Sequence, residues 1–251
     1  MSSGPTLADL PAAARRPVQW RRLFDALAAL RGGDPARAVD GAYTVQDAIG
    51  GASDERMLAR LLSTPEGRAL ASERSSLPAV LADRAALRRL PEGSFGRVYA
   101  SFCDRNGIDP HALVDASHRM SRDYERLDPV RRWWSDRLTV IHDLAHVLAG
   151  YETSIAGEAA LMGFFLAQRV NDRAVPIFVP MSIASGQIDG RTAWQAIHRG
   201  LRADWISLQP FETLLGEPLS AVRARLRIDD PRLAHPRSAK PDLLIGEDPP
   251  R

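Results

Sequence analysis

The chain has 251 residues and a formal net charge of +2, with 45% hydrophobic and 25% charged residues, which is an ordinary globular composition. Arginines alternate with acidic residues instead of forming a basic block, so we expect no nucleic-acid partner. The single cysteine, Cys103, excludes an internal disulfide and a cysteine zinc cage. No segment approaches the ~20 apolar residues that span a bilayer, and the N-terminus lacks the apolar stretch of a signal peptide. We therefore expect a cytoplasmic protein.

Hydrophobic periodicity divides the chain into three parts: a flexible arm over 1–16, a helical domain over 17–229 and a peripheral, proline-rich tail over 230–251. Alternating strands are not found, so the predicted fold class is all-α, a single domain of about eight helices. In chain order, the predicted helices are WRRLFDALAAL, SDERMLARLLS, SLPAVLADRAALRRL, RVYASFCDRN, DPHALVDASHRM, DPVRRWWSDRLTVIHDLAHVLA, SIAGEAALMGFFLAQRVND, 190–208 and 218–227.

Capping residues and prolines predict where helices begin and end. The longest predicted helix starts with Asp128 as a cap and Pro129 in the first turn, and it runs about six turns to Gly150. The segment AVPIFVPM is apolar but contains two prolines. We predict that this segment is an extended connector.

Two histidines one helical turn apart, His142 and His146, lie near the end of the longest predicted helix. At this spacing both side chains project from one face about 6 Å apart, which is how one helix offers two imidazoles to a divalent ion. The alternative is a pair of packed or capping histidines, since imidazolium is favoured at a helix C-terminus in any case.

Two acidic residues favour the metal interpretation. Asp143 follows His142 directly and could ligate, act as a base or orient an imidazole. Glu158 follows His146 by twelve residues, beyond the glycine that ends the helix, so an antiparallel second helix can place its carboxylate opposite the histidines. Glu158 also interrupts an apolar helix face, where a carboxylate needs a cation or a donor. We therefore predict a metal motif on an antiparallel helix pair.

The stretch HDLAHVLAGYETSIAGE fits H-D-x-x-H-x11-E and resembles the zinc motif of the Coq-four family of ubiquinone (coenzyme Q) biosynthesis proteins. Upstream, LPEGSFGRVYASF is similar to that family's L-P-x-G-[ST]-F-G-x-x-Y segment, and the resemblance spans roughly 17–229. Two features depart from the family pattern. Val140 stands where an acidic residue is frequent, and FETLLGEPLSAV lacks an expected tryptophan or tyrosine.

The resemblance implies a helical, peripheral membrane protein that removes the C1 carboxyl group of a polyprenylated hydroxybenzoate precursor, with oxidative hydroxylation at that carbon as a variant. It implies that the metal ligands are His142, Asp143, His146 and Glu158. Zn²⁺ is the expected ion, and other divalent metals would be tolerated. Asp143 has two candidate roles, ligand and catalytic acid or base. The implied partners are the prenylated quinone precursor, the inner-membrane surface and other quinone-biosynthesis proteins, and a homodimer is compatible with the resemblance.

Two segments are candidates for binding that substrate. The GSFGR segment could bring backbone and a cation near an anionic head group, or could simply cap two helices; its candidate residues are Gly93, Phe95, Gly96 and Arg97. The apolar stretch AALMGFFLAQ could line a groove for the isoprenoid tail through Met162 and Phe165. Ordinary core packing is the more frequent role of such side chains.

Three other functions remain open. The runner-up is a non-catalytic scaffold that presents prenylated intermediates to other enzymes and holds a structural metal. A zinc protease of the H-E-x-x-H type would need a glutamate base at the position of Asp143. An HD-type phosphohydrolase would recruit a further histidine such as His118, and would leave His146 without a role.

Overall fold

The computed structural model describes residues 4–14, 16–30, 41, 44–49, 52–121, 123–170 and 173–229. Within these ranges the chain forms helices and no β-strand, so the all-α prediction is confirmed. The α-helices with defined bounds are α1 (Trp20–Leu30), α2 (Ser53–Leu62), α3 (Pro65–Glu73), α4 (Leu77–Ala82), α5 (Arg84–Arg88), α6 (Phe95–Asn106), α7 (Pro110–Met120), α8 (Pro129–Ala149), α9 (Ile155–Ala167), α10 (Val175–Ala184), α11 (Gly190–Arg202), α12 (Phe211–Leu214) and α13 (Leu219–Arg225). Residues 44–49 are also helical. The predicted tail over 230–251 lies outside the described residues.

The described ranges contain more helices than the nine predicted segments, because several are short. The stretch predicted as one helix after Ser76 is divided into α4 and α5 at Asp83, whose backbone leaves the helical region (ψ 75°). The Asp83 carboxylate accepts a hydrogen bond from the backbone N–H of Ala86 and caps α5. The helix predicted over 190–208 ends at Arg202 and is followed by a separate 3-10 turn, Ile206–Leu208.

The prediction that AVPIFVPM is an extended connector is wrong, because this segment forms α10. Pro176 lies in the first turn, where a backbone N–H has no acceptor within the helix, so the N–H that proline lacks is not needed. Pro180 lies within the helix and removes one backbone bond. The helix forms because Val175 and Val179, which lie on one face of it, are buried in the core.

Helix α8 is the central element and has the predicted ends. The Asp128 carboxylate accepts hydrogen bonds from the backbone N–H groups of Val130 and Arg131, at 3.0 and 3.2 Å. Gly150 adopts a left-handed conformation (φ 76°) and ends the helix. The second half of α8 is buried almost completely, so other parts of the chain pack against it on several sides.

A buried arginine joins α8 to the C-terminal part of the described chain. The Arg137 guanidinium is fully buried and donates to both carboxylate oxygens of Glu212, at 2.5 and 3.0 Å. It also donates to the carbonyl of Gln209 at 2.7 Å. Such an additional bond offsets part of the cost of burying an ion pair. The pair therefore sets the position of the segment before α12 against the middle of α8.

The GSFGR segment lies against the turn between α12 and α13. The N–H groups of Phe95 and Gly96 donate to the carbonyls of Glu217 and Leu215, each at 2.8 Å. A Cβ atom at Gly96 would lie 2.6 Å from a Leu90 methyl and 3.1 Å from the Leu215 carbonyl oxygen. Glycine is therefore required by this close approach.

Replacing Gly96 with Ala is expected to lower the free energy of unfolding by about 1–3 kcal/mol, since overpacking displaces Leu90 or the backbone of Leu215. Chemical denaturation measures the difference. Gly190→Ala is the matched control, because a Cβ there meets no atom within 4 Å. Equal stabilities for the two variants would contradict the close approach.

Arg131 ties the start of α8 to two other parts of the chain. Its guanidinium donates to Asp128 at 2.6 Å, to Glu55 of α2 at 2.8 Å and to the carbonyl of Pro11 in the predicted N-terminal arm at 2.9 Å. Burial of Asp128 acts to raise the pKa of its carboxyl, but the hydrogen bonds from Arg131 and Val130 outweigh it and the pKa is lowered. The charged carboxylate therefore stabilises the fold.

The lowered pKa of Asp128 predicts a pH-dependent contribution to stability. At neutral pH the wild type is expected to exceed Asp128→Asn by about 1 kcal/mol in unfolding free energy. The difference is present above the unfolded-state pKa of about 4 and is lost as the pH falls through the lower folded-state value. Denaturant titrations between pH 7 and pH 3 test this, with Asp104→Asn on the surface as the control. A difference that stays constant over this range would rule the contribution out.

Candidate metal centre

The two predicted histidines of α8 point their Nε2 atoms at one another. His142 and His146 lie one turn apart, and the two Nε2 atoms are 3.2 Å from each other. The rings meet nearly edge to face, at 75°. Two imidazoles in this arrangement aim their nitrogen lone pairs at a common point.

Glu158 supplies a third donor from α9. Its carboxylate oxygens lie 3.3 Å from Nε2 of His142 and 3.1 Å from Nε2 of His146. The start of α9 is placed by Ser154, whose hydroxyl accepts from the N–H of Gly157. A Cβ at Gly157 would lie 2.0 Å from the carbonyl oxygen of Glu152, so only glycine allows the turn to pack this closely.

These three donors are spaced as a zinc ion requires. Bonds of about 2.0–2.1 Å at tetrahedral angles separate neighbouring ligand atoms by roughly 3.3 Å. The two Nε2 atoms are 3.2 Å apart, and His142 and His146 lie 3.3 and 3.1 Å from Oε2 and Oε1 of Glu158, respectively. Two imidazoles and one carboxylate form a ligand set typical of catalytic zinc sites. Within the described residues, this trio is the group of histidine, cysteine and acidic side chains that could hold a metal ion.

The second ring nitrogen of His146 fixes the orientation of that ligand. Nδ1 lies 3.0 Å from the carbonyl oxygen of Tyr151, which can only accept, so we assign the proton to Nδ1. Nε2 then presents its lone pair to the centre. A backbone carbonyl in this role is a common second partner of metal-binding histidines. The ring also stacks on Phe102, with centroids 5.8 Å apart.

Charge in the cluster is balanced between the carboxylate and the imidazoles. Burial acts to raise the pKa of Glu158, but hydrogen bonds and charge from His142 and His146 outweigh burial and lower it. Burial acts to lower the pKa of His142, but the hydrogen bond and charge of Glu158 raise it overall. Glu158 is therefore an anion at neutral pH and supplies the negative charge that a divalent cation requires.

The cluster is open on one side. His146 is 1% exposed, whereas His142 and Glu158 are 35% and 40% exposed. Phe165, predicted to contact substrate, is buried with its ring 5.7 Å from that of His142. Met162 is partly buried against the core, and Ile155, which is 70% exposed, lies one turn before Glu158. A ligand could therefore approach the centre over an apolar helix face.

Asp143 lies outside the three-donor group. It follows His142 on α8, so its side chain is rotated about 100° around the helix axis from that ligand. It is 5% exposed, burial raises its pKa, and its Oδ2 atom is buried without a hydrogen-bond partner among the described residues. The structure therefore brings together three of the four predicted ligands and directs Asp143 towards the interior.

The residues of the GSFGR segment make packing and hydrogen-bond contacts with neighbouring parts of the fold. Phe95 is fully buried and packs edge to face on Phe211, at 6.0 Å. The Gly93 carbonyl accepts from Leu219, and Arg97 is exposed with a hydrogen bond to the Leu90 carbonyl. These contacts match the capping alternative, while the substrate-binding role stays a prediction.

His118 does not support a phosphohydrolase site. It bonds to Asp136 at 2.7 Å and stacks on Tyr124, with centroids 3.6 Å apart. Asp136 lies on α8, six residues before His142, and Tyr124 lies in the 3-10 turn that precedes α8. The protease alternative lacks its glutamate base, because the shorter Asp143 stands at that position.

Sequence patterns missed Tyr151 and Phe102, which orient and pack His146. The Tyr151 carbonyl is a backbone atom, so residue type carries no signal for it. Phe102 lies within the predicted helix RVYASFCDRN as one of its apolar residues. Its place three residues after the motif tyrosine, Tyr99, was the available hint.

The helical architecture and the two-histidine, one-carboxylate cluster define a class of all-α proteins with a candidate divalent-metal centre. The family model described as "Coenzyme Q (ubiquinone) biosynthesis protein Coq4" matches residues 24–232 of this chain. The chain therefore belongs to the Coq4 family of ubiquinone biosynthesis proteins, and the predicted resemblance is confirmed.

Individual relatives agree with this assignment. The mitochondrial ubiquinone biosynthesis protein COQ4 homolog of Bos taurus is 32% identical over 175 residues, covering 67% of this chain and 63% of the relative's length. The Nematostella vectensis homolog is 27% identical and covers 75% of this chain and 91% of its own. A crystal structure from Nostoc punctiforme, described as a candidate ubiquinone biosynthesis protein, superposes with a TM-score of 0.57 at 21% identity. It covers 85% of this chain and all of its own, which supports the fold.

Among the described helices, none combines the length and hydropathy of a transmembrane span. Helix α8 is the longest but carries several charged residues. The two most apolar helices, α9 and α10, have 13 and 10 residues. About 20 residues are needed to cross the hydrocarbon layer.

Replacing Glu158 with Gln removes one of the three carboxylate and imidazole donors together with the negative charge. Loss of a residue that only supports a metal ligand typically weakens metal binding 10–100-fold, and we expect a larger loss of Zn²⁺ affinity here. Competition with a chromophoric chelator measures the affinity. Glu217→Gln is the control, since Glu217 pairs with Arg225 at the surface. Unchanged zinc affinity in Glu158→Gln would show that this cluster is not the metal centre.

Proposed function

We propose that this protein acts in ubiquinone biosynthesis as a zinc-dependent decarboxylase, removing the C1 carboxyl group of a polyprenylated hydroxybenzoate precursor. The observation that carries the proposal is the half-open cluster, in which His146 is buried while His142 and Glu158 keep an exposed side. A catalytic zinc site needs such an open position, whereas a structural site is closed by four protein ligands. Membership of the Coq4 family supports the pathway.

A Zn²⁺ ion held by His142, His146 and Glu158 would supply Lewis acidity towards the phenolate or carboxylate oxygen of the substrate. In the proposed reaction the bond between C1 and the carboxyl carbon breaks, CO₂ leaves, and the electron pair stays on the ring. A proton then takes the place of the carboxyl group at C1. An oxidative variant, with a hydroxyl group at C1, would need an oxidant in addition.

Asp143 is the proposed residue for proton handling. Its position outside the three-donor group favours this role over that of ligand. Burial raises the pKa of its carboxyl, which favours the protonated form that an acid–base group needs in one step of its cycle. Of the two predicted roles of Asp143, we propose the acid–base role and not that of ligand.

The apolar face beside the centre supports a lipid substrate. Ile155, Met162 and Phe165 follow one another on α9 at helical spacing, and this face passes from exposed at Ile155 to buried at Phe165. A prenyl tail lying along it would place the aromatic head at Glu158. We propose that the substrate reaches this face from a membrane surface, on which the protein rests peripherally.

Purified protein loaded with Zn²⁺ is expected to release CO₂ from a prenylated hydroxybenzoate supplied in vesicles. Metal removal by a chelator should abolish turnover, and Glu158→Gln should lower it at least 100-fold, while Glu217→Gln retains it. Product analysis by mass spectrometry distinguishes hydrogen from hydroxyl at C1. Tight lipid binding without CO₂ release would reject the decarboxylase and support the non-catalytic scaffold.

A further inference from the structure

Helix α11 has an inner face that packs closely on α9. A Cβ atom at Gly200 would lie 2.4 Å from the carbonyl oxygen of Phe164. A Cβ atom at Gly163 would lie 3.0 Å from the Cβ atom of Ala196. These close approaches restrict rotation of α11 about its axis, so its outer face is presented to solvent in a defined orientation.

The outer face of α11 combines apolar and cationic side chains. Trp194 and Leu201 are seven residues apart and each is 64% exposed. Arg191 and Arg202 are also exposed. At about 100° per residue, both arginines lie within about 80° of Trp194 around the helix axis. Exposed tryptophan beside arginine is the combination that favours the boundary between lipid and water.

A surface cavity of about 230 Å³ adjoins this outer face. Its lining residues are Trp194, Gln195, His198, Arg199 and Asp229. Sites for drug-sized molecules occupy about 300–1,000 Å³, whereas one water molecule takes up about 30 Å³. The cavity is therefore of a size for a small polar group, and Trp194 belongs both to its wall and to the exposed apolar pair.

The cavity wall contains a buried cation. Arg199 is 4% exposed. Its Nη2 atom donates to the backbone carbonyl of Asp229 at 2.8 Å, and its guanidinium lies 5.1 Å from the ring centre of Tyr151. Both of these partners are neutral. The Asp229 carboxylate pairs with Arg202 at 3.7 Å, and no carboxylate of the described residues forms an ion pair with Arg199.

Arg137 shows what a buried guanidinium requires. It is also buried, and both carboxylate oxygens of Glu212 accept its hydrogen bonds. Arg199 lies in the last turn of α11, where the helix dipole favours a cation, but this dipole amounts to only about half a charge. Burying a charge without a counter-charge is costly. An anion that enters the cavity would therefore supply what Glu212 supplies to Arg137.

We propose that this cavity binds the phosphate group of an anionic phospholipid, and that the outer face of α11 docks the protein on a membrane. Arg199 donates to the phosphate oxygens from the cavity wall, and His198 adds a ring N–H from its exposed rim. Trp194 and Leu201 enter the boundary between head groups and acyl chains. This docking site rests on the peripheral membrane contact of the proposed function, to which it gives a location, and it does not involve the metal centre.

Flotation of the full-length chain with vesicles tests the docking site, with a chelator present so that zinc has no part. The wild type is expected to prefer vesicles containing phosphatidylglycerol over phosphatidylcholine alone. Arg199→Gln should weaken binding to the anionic vesicles about tenfold and remove the preference. Trp194→Ser should weaken binding to both kinds of vesicle about tenfold, because apolar burial is lost. Trp20→Ser is the matched control, since Trp20 is 63% exposed on α1, and it should bind like the wild type.

A second variant covers the case in which Arg199→Gln does not fold, which circular dichroism detects. His198 is exposed at the rim of the cavity, so His198→Ala is expected to fold and to weaken binding to the anionic vesicles alone. An unchanged lipid preference in the folded variants, or equal losses in Trp194→Ser and Trp20→Ser, would overturn docking through α11.

Other occupants of the site give distinct results. Calorimetric binding of inorganic phosphate without vesicle binding would assign the cavity to a soluble anion and overturn the docking site. A wild-type dimer that Trp194→Ser converts to a monomer, measured by light scattering, would assign the face to a second copy of the chain if vesicles are not bound. Vesicle docking as expected, without CO₂ release by the zinc-loaded protein, would reject the proposed decarboxylase and support the docking site.

Discussion

The hydrogen bond between Nδ1 of His146 and the carbonyl of Tyr151 is the contact on which the candidate metal centre depends. It forms because Gly150 takes a left-handed conformation, ends α8 and turns the next carbonyl back towards the helix. One interaction thus closes a helix, selects the tautomer of a ligand and sets the direction in which the chain leaves α8. That direction brings Glu158 within 3.1 Å of the same imidazole.

A centre of this kind requires a rigid support, and α8 receives it from polar contacts as well as apolar packing. Arg137 pairs with Glu212 in the interior, and the indole N–H groups of Trp133 and Trp134 donate to the carbonyls of Ser75 and Asp54. Each bond has a fixed direction, so together they restrict rotation of the helix about its axis. Apolar side chains alone would permit more sliding, because the hydrophobic effect is non-directional.

His142 and Asp143 are neighbours on α8 but differ in their surroundings. His142 and Glu158 are partly exposed beside an apolar stripe, where a lipid head group could reach them. Asp143, rotated about 100° around the helix, is buried, and its charge acts on Tyr99 in the interior. One short motif therefore serves two environments, because successive helix positions point in different directions.

The elements predicted well were those with local signals. The bounds of α8, from Asp128 to Gly150, follow from a cap, a proline and a glycine, each acting within one turn. The segment that became α10 was predicted wrongly, because its prolines argued against a helix and only burial of Val175 and Val179 favoured one. The break at Asp83 was missed, since its residue type suits both a helix interior and a cap.

The sequence by itself determined the helical class, the main helix ends and the ligand spacing of His142, His146 and Glu158, because periodicity and capping act between residues that are close along the chain. Tertiary structure decided the rest: that Asp143 points inwards, that a Tyr151 carbonyl orients His146, and that Arg137 finds Glu212. These contacts depend on backbone direction and on burial between distant helices. Neither is encoded in the type of any single residue, so they become visible only when the helices are packed.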